Sequence, residues 1–253
     1  MSGFRPRLIP TLLTIPVVLL CAVLGGWQLQ RLEWKRALIT QREAAVTGAP
    51  VALPQSLADA RALEFHAVAE DGVFLNDKEI FLGAIGPKGA AGFHVLTPLR
   101  ERDGRVVLVN RGFVPTELKD PAKRAAGQPA GSVRVAGLLR VPPDEKPGWF
   151  VPDNRPDLNY WFWVDLPAIR VAAGLSDVGG LTNVAPFYVD ADAAANPGGW
   201  PRGGVTPLVL PNDHLQYAIT WFSLAVAALV IYLLSQRGGA RDDARDDARD
   251  DAG

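Results

Sequence analysis

Hydrophobic and polar positions divide the chain into three zones. Leu8 to Trp27 and Leu215 to Leu234 are runs of twenty residues without a formal charge. At about 1.5 Å per helical residue each reaches roughly 30 Å, the thickness of a hydrocarbon core, so both are expected to be membrane-spanning helices. Ten residues of the second run are Leu, Ile, Val or Phe, which outweighs Gln216, Thr220 and Ser223 near one end. Pro10 and Pro16 lie near the start of the first run, where a helix tolerates proline best. Beyond it the helical pattern continues to about Ala45 and stops at Val46-Thr47-Gly48-Ala49-Pro50.

Between the runs, Gly and Pro punctuate short segments rich in Val, Phe, Tyr and Trp, the grammar of strands. Strands are expected at 65–69, 73–75, 79–83, 93–99, 105–110, 132–140, 160–164 and 186–190, with a short helix around 167–173. Arg102-Asp103-Gly104 is the turn joining 93–99 to 105–110. The predicted fold is a membrane protein in which two transmembrane α-helices flank one mostly antiparallel β (α+β) extracytoplasmic domain. Its expected parts are a short cytoplasmic start (1–7), helix 1 (8–29), the mainly β domain (30–207), a pre-membrane segment (208–214), helix 2 (215–235) and a charged cytoplasmic tail (236–253).

Charge divides unevenly: Arg5 and Arg7 precede the first run while Arg31, Lys35 and Arg36 follow it, so the orientation rests on the second run. Arg237, Arg241, Arg245 and Arg249 follow the second run, whereas no Lys or Arg lies between Gly203 and His214, so the carboxyl end is expected on the cytoplasmic side. The tail repeats Ala-Arg-Asp-Asp three times, which favours solvation over a packed core. A formal charge of −1 over 253 residues gives no reason to expect nucleic-acid binding. The single cysteine, Cys21, lies in an apolar run, so neither a disulfide framework nor a cysteine-based metal site is expected. The short stretch before Leu8, in an Ala-, Gly- and Arg-rich chain, suits a bacterial cytoplasmic (inner) membrane with the main domain periplasmic.

Candidate chemistry gathers where the apolar runs meet polar sequence. His214, Tyr217 and Trp221 share one helical face at the mouth of the second run. The aromatic pair reads either as an interfacial belt with Tyr232 as counterpart or as a binding surface, and His214 either as a hydrated residue or as a ligand. At the exit of the first run Trp27, Arg31 and Trp34 share a face with Lys35 beside it, which reads as snorkelling or as a cationic site for a carboxylate or phosphate. In the central region Asn110 and Arg111 close an apolar strand, and Tyr160, Trp161 and Trp163 open another. Each set reads as a partner-recognition surface, or as turn bonding with one ion pair for the first and packing for the second. The Gly83, Gly86, Gly89 and Gly92 series lacks the context of a phosphate loop, and His66 and His94 lack metal-ligand spacing. No nucleophile elbow or paired-carboxylate pattern is present, so the chain is not expected to be an enzyme.

Leu24-Gly25-Gly26-Trp27-Gln28 with Arg31-Leu32-Glu33-Trp34-Lys35, then Val109-Asn110-Arg111-Gly112-Phe113-Val114-Pro115, then Asn212-Asp213-His214-Leu215-Gln216-Tyr217-Ala218-Ile219-Thr220-Trp221, together resemble the Surfeit locus protein 1 family. Phe93 to Leu99 and Leu158-Asn159-Tyr160 also follow its pattern, whereas Phe113 and Phe222 stand where many members carry Trp and Tyr. The resemblance implies a biogenesis factor for haem-copper cytochrome c oxidase, working with the catalytic subunit and the haem a synthesis machinery. It also implies haem a binding in some members, with the family's histidine falling on His214. On that basis the expected haem a site uses His214 as axial ligand to the iron, with Tyr217, Trp221 and Trp27 beside the macrocycle and Arg31 and Lys35 toward the propionates. Asn110, Arg111, Trp34 and Tyr160 are the expected partner contacts. The alternative is a haem-independent scaffold for oxidase subunits.

Overall fold

A computed structural model describes residues 7–175, 183–206 and 211–250, with 237–250 described as backbone only. The chain divides into two compact units, residues 1–40 with 209–253 and residues 41–208.

The first unit is a pair of helices, α1 (Leu8–Thr47) and α4 (His214–Asp250). Both contain a stretch long and apolar enough to cross a membrane, and most of that surface faces outward. Their contacts run antiparallel: Thr11 Oγ1 meets the Tyr232 hydroxyl at 2.8 Å, and Arg7 N–H donates to Gln236 Oε1 at 2.9 Å. Gly25 makes room for Phe222, whose ring would lie 2.8 Å from a Cβ at that position. Cys21, Gly25 and Leu32 on α1, with Ala218, Ala225 and Gln236 on α4, are the buried residues of the two among the described side chains. Small residues allow this close approach of two backbones. Helix α4 continues through the Ala-Arg-Asp-Asp repeats rather than ending at the span, as Ala and Arg are strong helix formers. Residues 207–210, which contain the start of the expected pre-membrane segment, lie outside the described residues.

The second unit is built on six strands, β1 (Ala67–Phe74), β2 (Ile80–Ile85), β3 (Ala91–Glu101), β4 (Val106–Pro115), β5 (Ser132–Arg140) and β6 (Val184–Ala191). Their order is β1-β5-β6-β4-β3-β2, and β1 also pairs with β3, so five strands close into a ring with β2 added on the outside of β3. Every pairing is antiparallel except β4 with β6. The β3–β4 turn falls at Arg102-Asp103-Gly104 as expected, with Glu101 N–H donating to Arg105 O at 2.8 Å.

Closure gives the strands two apolar faces. Inside the ring, Val68, Phe74, Leu99, Val107, Val109, Leu139 and Phe187 form one core, capped by α2 (Leu57–Ala62) through Ala60. Outside it, Val106, Leu108, Val184 and Tyr188 pack against Trp161, Val164 and α3 (Leu166–Ala172). Both faces of β4 are covered, which is why Val106-Val107-Leu108-Val109 is a continuous apolar run rather than an alternating one.

Two expectations need correction. The segments 65–69 and 73–75 form one strand, since Glu70, Asp71 and Gly72 pair across to Val135, Arg134 and Val133. Residues 160–164 do not form a strand. Trp161 makes a single bridge to Leu82, and Asn154 Oδ1 then takes the amides of Phe162 and Trp163 at 2.8 and 3.3 Å, which ends any ladder. Trp161 is nevertheless wholly buried, in line with the packing alternative.

Candidate functional site

Helix geometry sorts the expected site residues of the first unit. His214 opens α4, and its Nδ1–H donates to Gln28 Oε1 at 2.7 Å. An amide oxygen only accepts, so Nδ1 is the donor of this bond, and in the neutral ring Nε2 then carries the lone pair. Holding one ring nitrogen this way fixes both tautomer and orientation, the arrangement seen around metal-ligating histidines. Trp221, seven residues on, lies on nearly the same face as His214 and is half-buried, whereas Tyr217 is 55% exposed.

On α1, Lys35 is seven residues beyond Gln28 and shares its face, half-buried. Arg31, three residues beyond Gln28 and four before Lys35, lies within about 60° of that face, and Trp27 about 100° from Gln28; both are exposed. The Arg31 guanidinium lies over the Trp34 ring at 4.0 Å, and Trp27 and Trp34 are each about half exposed. Thus His214 is brought to Gln28, and Arg31 to Trp34. Neither Arg31 nor Lys35 makes a hydrogen bond or ion pair with His214, Tyr217 or Trp221 among the described residues. Gln28 was missed as a site residue because its role depends on a partner 186 positions away.

The second unit holds a separate polar centre. Asn110 and Arg111, expected at a partner surface, are interior residues at 5% and 2% exposure. Asn110 Nδ2 donates to Asp190 Oδ1 at 2.8 Å, and its Oδ1 accepts from the Gly112 amide at 3.1 Å. Strand alternation sends Arg111 to the inner side of β4 with Val107 and Val109, where its guanidinium lies 4.5 Å from the Phe74 ring centroid and Nη2 donates to Gly127 O at 2.6 Å. The contacts these residues make in the structure are turn bonding and an ion pair.

That ion pair belongs to a buried cluster. Glu79 receives both terminal nitrogens of Arg124 and, on Oε1, Gln128 Nε2 at 2.9 Å, while Arg111 Nη1 lies 3.8 Å from Oε1. Two buried guanidinium groups therefore share one buried carboxylate. Burial, with Arg124 adding to it and Glu79 opposing it, lowers the Arg111 pKa to about 10, so it remains charged at neutral pH. Burial likewise pushes the Tyr188 hydroxyl up to about 12.

Tyr160, the remaining expected partner contact, is half-buried, edge-on to Phe93 at 5.5 Å and tilted against Phe162 at 4.6 Å. Lys119 Nζ sits over the rings of Phe93, Phe81 and Tyr160 at 4.7, 5.2 and 5.9 Å. This internal cation accounts for the aromatic cluster.

His94 pairs opposite Phe113 on β4, and burial lowers its pKa below 6.5 against an opposing pull from Asp190. A histidine held neutral in the fold contributes stability that is complete above the unfolded value and is lost as pH falls below it. The unfolding free energy from urea titration should therefore decline from pH 7 to pH 5.5, by up to about 1.4 kcal/mol per pH unit. His94→Gln should flatten that slope, and an unchanged slope would remove His94 as its source.

The SURF1 family model matches residues 15–226. A SURF1-like protein of Monosiga brevicollis is 40% identical over 243 residues, covering 91% of this chain and 88% of its own. Surfeit locus protein 1 of Homo sapiens is 35% identical over 237 residues, 87% of this chain and 75% of its own. The Mus musculus protein of the same name is 35% identical over 224 residues, 83% and 70%.

Proposed function

The chain belongs to the SURF1 family, and from that premise we propose that it is a two-span membrane protein assisting assembly of haem-copper cytochrome c oxidase, holding haem a through His214. The membrane reading is supported by two helices whose apolar side chains, Leu12, Leu19, Val226 and Ile231 among them, face outward. The sheet domain then stands on the periplasmic side of a bacterial inner membrane, supported by the arginines that follow the second span.

The observation that carries the haem reading is the His214–Gln28 hydrogen bond. Haem a would supply an iron centre with an axial position for a neutral nitrogen donor. Nε2 of His214 fits that requirement, because Gln28 keeps the proton on the other nitrogen. Trp221 and Tyr217 offer aromatic surface on the same side of α4, and Lys35 stands on the Gln28 face of α1 as a cation for a carboxylate. Arg31, stacked on Trp34, and Trp27 form a second cationic and aromatic patch better suited to lipid headgroups or a partner subunit. A single histidine that binds without completing a strong ligand set suits a carrier that releases its cargo to the catalytic subunit. The chain would act without turnover, alongside the haem a synthesis machinery.

The scaffold reading rests on a different observation, an apolar groove of about 620 Å³ on α4 lined by Ile219, Phe222, Val226 and Val230. A neighbouring transmembrane helix of an oxidase subunit would fit it. Optical spectra and pigment extraction of the detergent-purified chain, from cells that make haem a, separate the two. Haem a should co-purify, be absent from His214→Ala, and fall about tenfold or more in Gln28→Leu, the effect typical of removing an outer-shell partner. Haem-free wild-type protein would overturn the ligand role of His214 and leave the scaffold.

A further inference from the structure

The buried cluster of the sheet domain carries more positive than negative charge. Glu79 is paired bidentately with Arg124, so the second guanidinium, on Arg111, has only a 3.8 Å approach to that carboxylate. Arg111 is 2% exposed; its Nη2 donates to Gly127 O at 2.6 Å and to Asn196 Oδ1 at 3.3 Å, and its Nη1 has no hydrogen-bond partner among the described residues. A buried donor of this kind costs stability unless an acceptor reaches it, and an anion is the acceptor that would also balance the charge.

Arg111 lines a cleft of about 340 Å³ between β5 and the loop that follows β6. The other walls include Phe74, Val133, Val135 and Ala195. Arg134 and Asp192 stand at the rim with one charge each, and Asp192 already accepts from the Ala194 amide at 2.9 Å. The rim is thus balanced, and the unmatched charge lies deeper.

The same cleft exposes a strand edge. Strands β5 and β6 pair only from Gly137 to Arg140, so Ser132 to Ala136 has β1 on one side and no strand on the other among the described residues. Leu139 directs its main-chain N–H and C=O to the β1 side, bonding His66 O at 3.0 Å and Phe65 N at 2.8 Å. Strand alternation therefore turns the main-chain groups of Arg134 and Ala136 the opposite way, and Ala136 O indeed bonds Asp192 N at 2.9 Å. Beyond that one bond, the main-chain groups that Arg134 turns toward the cleft have no partner among the described residues. Ser132 to Ala136 spans about 16 Å, the length of a short extended peptide, with the main-chain groups of Arg134 at its centre and Ala136 O already taken by Asp192.

We propose that this cleft binds the carboxyl terminus of a partner polypeptide in extended form, with the terminal carboxylate on Arg111 and the peptide backbone added to the free edge of β5. The apolar walls select a medium-sized apolar last residue such as Val or Leu. Main-chain bonds supply sequence-tolerant affinity, and the carboxylate on a buried cation supplies selectivity for a chain end. This inference stands apart from the haem reading, and its test uses no haem.

The full-length chain in detergent, immobilised through its amino end, is exposed to a pool of hexapeptides randomised at five positions and ending in Val or Leu. The same pool amidated at the carboxyl end serves as the comparison, with retained peptides read by mass spectrometry. The free-acid pool should be enriched at least about tenfold over the amidated pool, the discrimination expected for one charge-assisted bond to a buried cation. Arg111→Met should abolish the enrichment. Because Arg111 also holds Gly127 and Asn196, a second variant, Ala195→Trp, fills the cleft from its exposed wall while keeping Arg111, Glu79 and Arg124, and it too should abolish enrichment. Equal retention of both pools, or enrichment that survives Ala195→Trp, overturns the proposal. Saturable binding of dodecanoate without free-acid peptide enrichment assigns the cation to a lipid carboxylate and also overturns it.

Discussion

Glu79→Ala lowers the stability of the sheet domain by about 3–5 kcal/mol, the range for removing one partner from a buried ion pair. Each oxygen of Glu79 is engaged, by Arg124 on both and by Gln128 on Oε1, and the Arg111 guanidinium lies nearby. Without the carboxylate, two buried cations face one another with no compensating charge. Glu79→Gln should lose nearly as much, because it keeps the shape and some hydrogen bonding but not the charge. A double replacement, Glu79→Leu with Arg124→Met, should recover a large part of the loss, since exchanging both partners for apolar groups removes the desolvation penalty along with the attraction. Thermal unfolding of the full chain in detergent, followed by near-ultraviolet circular dichroism, measures this. For a domain of this size 1 kcal/mol moves Tm by roughly 2–4 °C, so Glu79→Ala should unfold about 6–20 °C earlier. A shift under about 2 °C would mean that water reaches the cluster and that the charges are not buried as described.

Gly112→Ala is the other severe change. Gly112 has φ +110°, and a Cβ there would lie 1.8 Å from the carbonyl oxygen of Arg202. That carbonyl belongs to a two-way bridge, Phe113 N–H to Arg202 O at 2.8 Å and Arg202 N–H to Phe113 O at 3.0 Å, which ties the segment after β6 to the end of β4. Alanine brings backbone strain of about 1–3 kcal/mol and forces the bridge apart, each lost bond adding about 1 kcal/mol. Gly104, at φ +89° in the β3–β4 turn, has open space around its Cβ position, so Gly104→Ala carries the strain alone. The expected order is therefore Gly112→Ala well below Gly104→Ala, itself slightly below the parent. Amide exchange should also show Phe113 N–H losing protection in Gly112→Ala only. Equal effects of the two substitutions would remove the close approach of Arg202 as the cause.

The contrast between the two units explains where sequence reading succeeds. Helix α1 runs from Leu8 to Thr47, close to where apolar periodicity begins and the Gly48-Ala49-Pro50 break ends it. Five strands fall where Val-, Phe- and Tyr-rich runs lie between turn residues, and the Asp103-Gly104 turn lies where it was expected. Trp161 resisted the same logic. It lies in an aromatic run that reads as strand, but the side chain of Asn154 captures the neighbouring amides and the segment becomes a docked turn. Closure through β1 and β3, and the parallel contact of β4 with β6, leave no periodic mark, because register between distant strands is decided by which faces can be buried together.

Site residues divide along the same line. The helix faces of His214, Trp221 and Lys35 were legible because helical spacing fixes them. Gln28 was not, as only its pairing with His214 distinguishes it from Gln30 two positions later. Asn110 and Arg111 were legible as special residues, but their setting was not. A charged pair closing a strand reads the same whether it faces solvent or the inside of a ring.

The sequence by itself determined the two apolar helices, the strand-rich domain between them, the chemistry at the helix mouths and membership of the family. These are properties of neighbouring residues, and hydrophobic period and turn chemistry act over a few positions. Tertiary structure alone decided that Arg111 points inward, that Glu79 serves Arg124 across 45 positions, and that Gln28 Oε1 meets His214 Nδ1. The energy of a polar group depends on its burial and on the distance to its partner, and both are created only when the chain closes on itself.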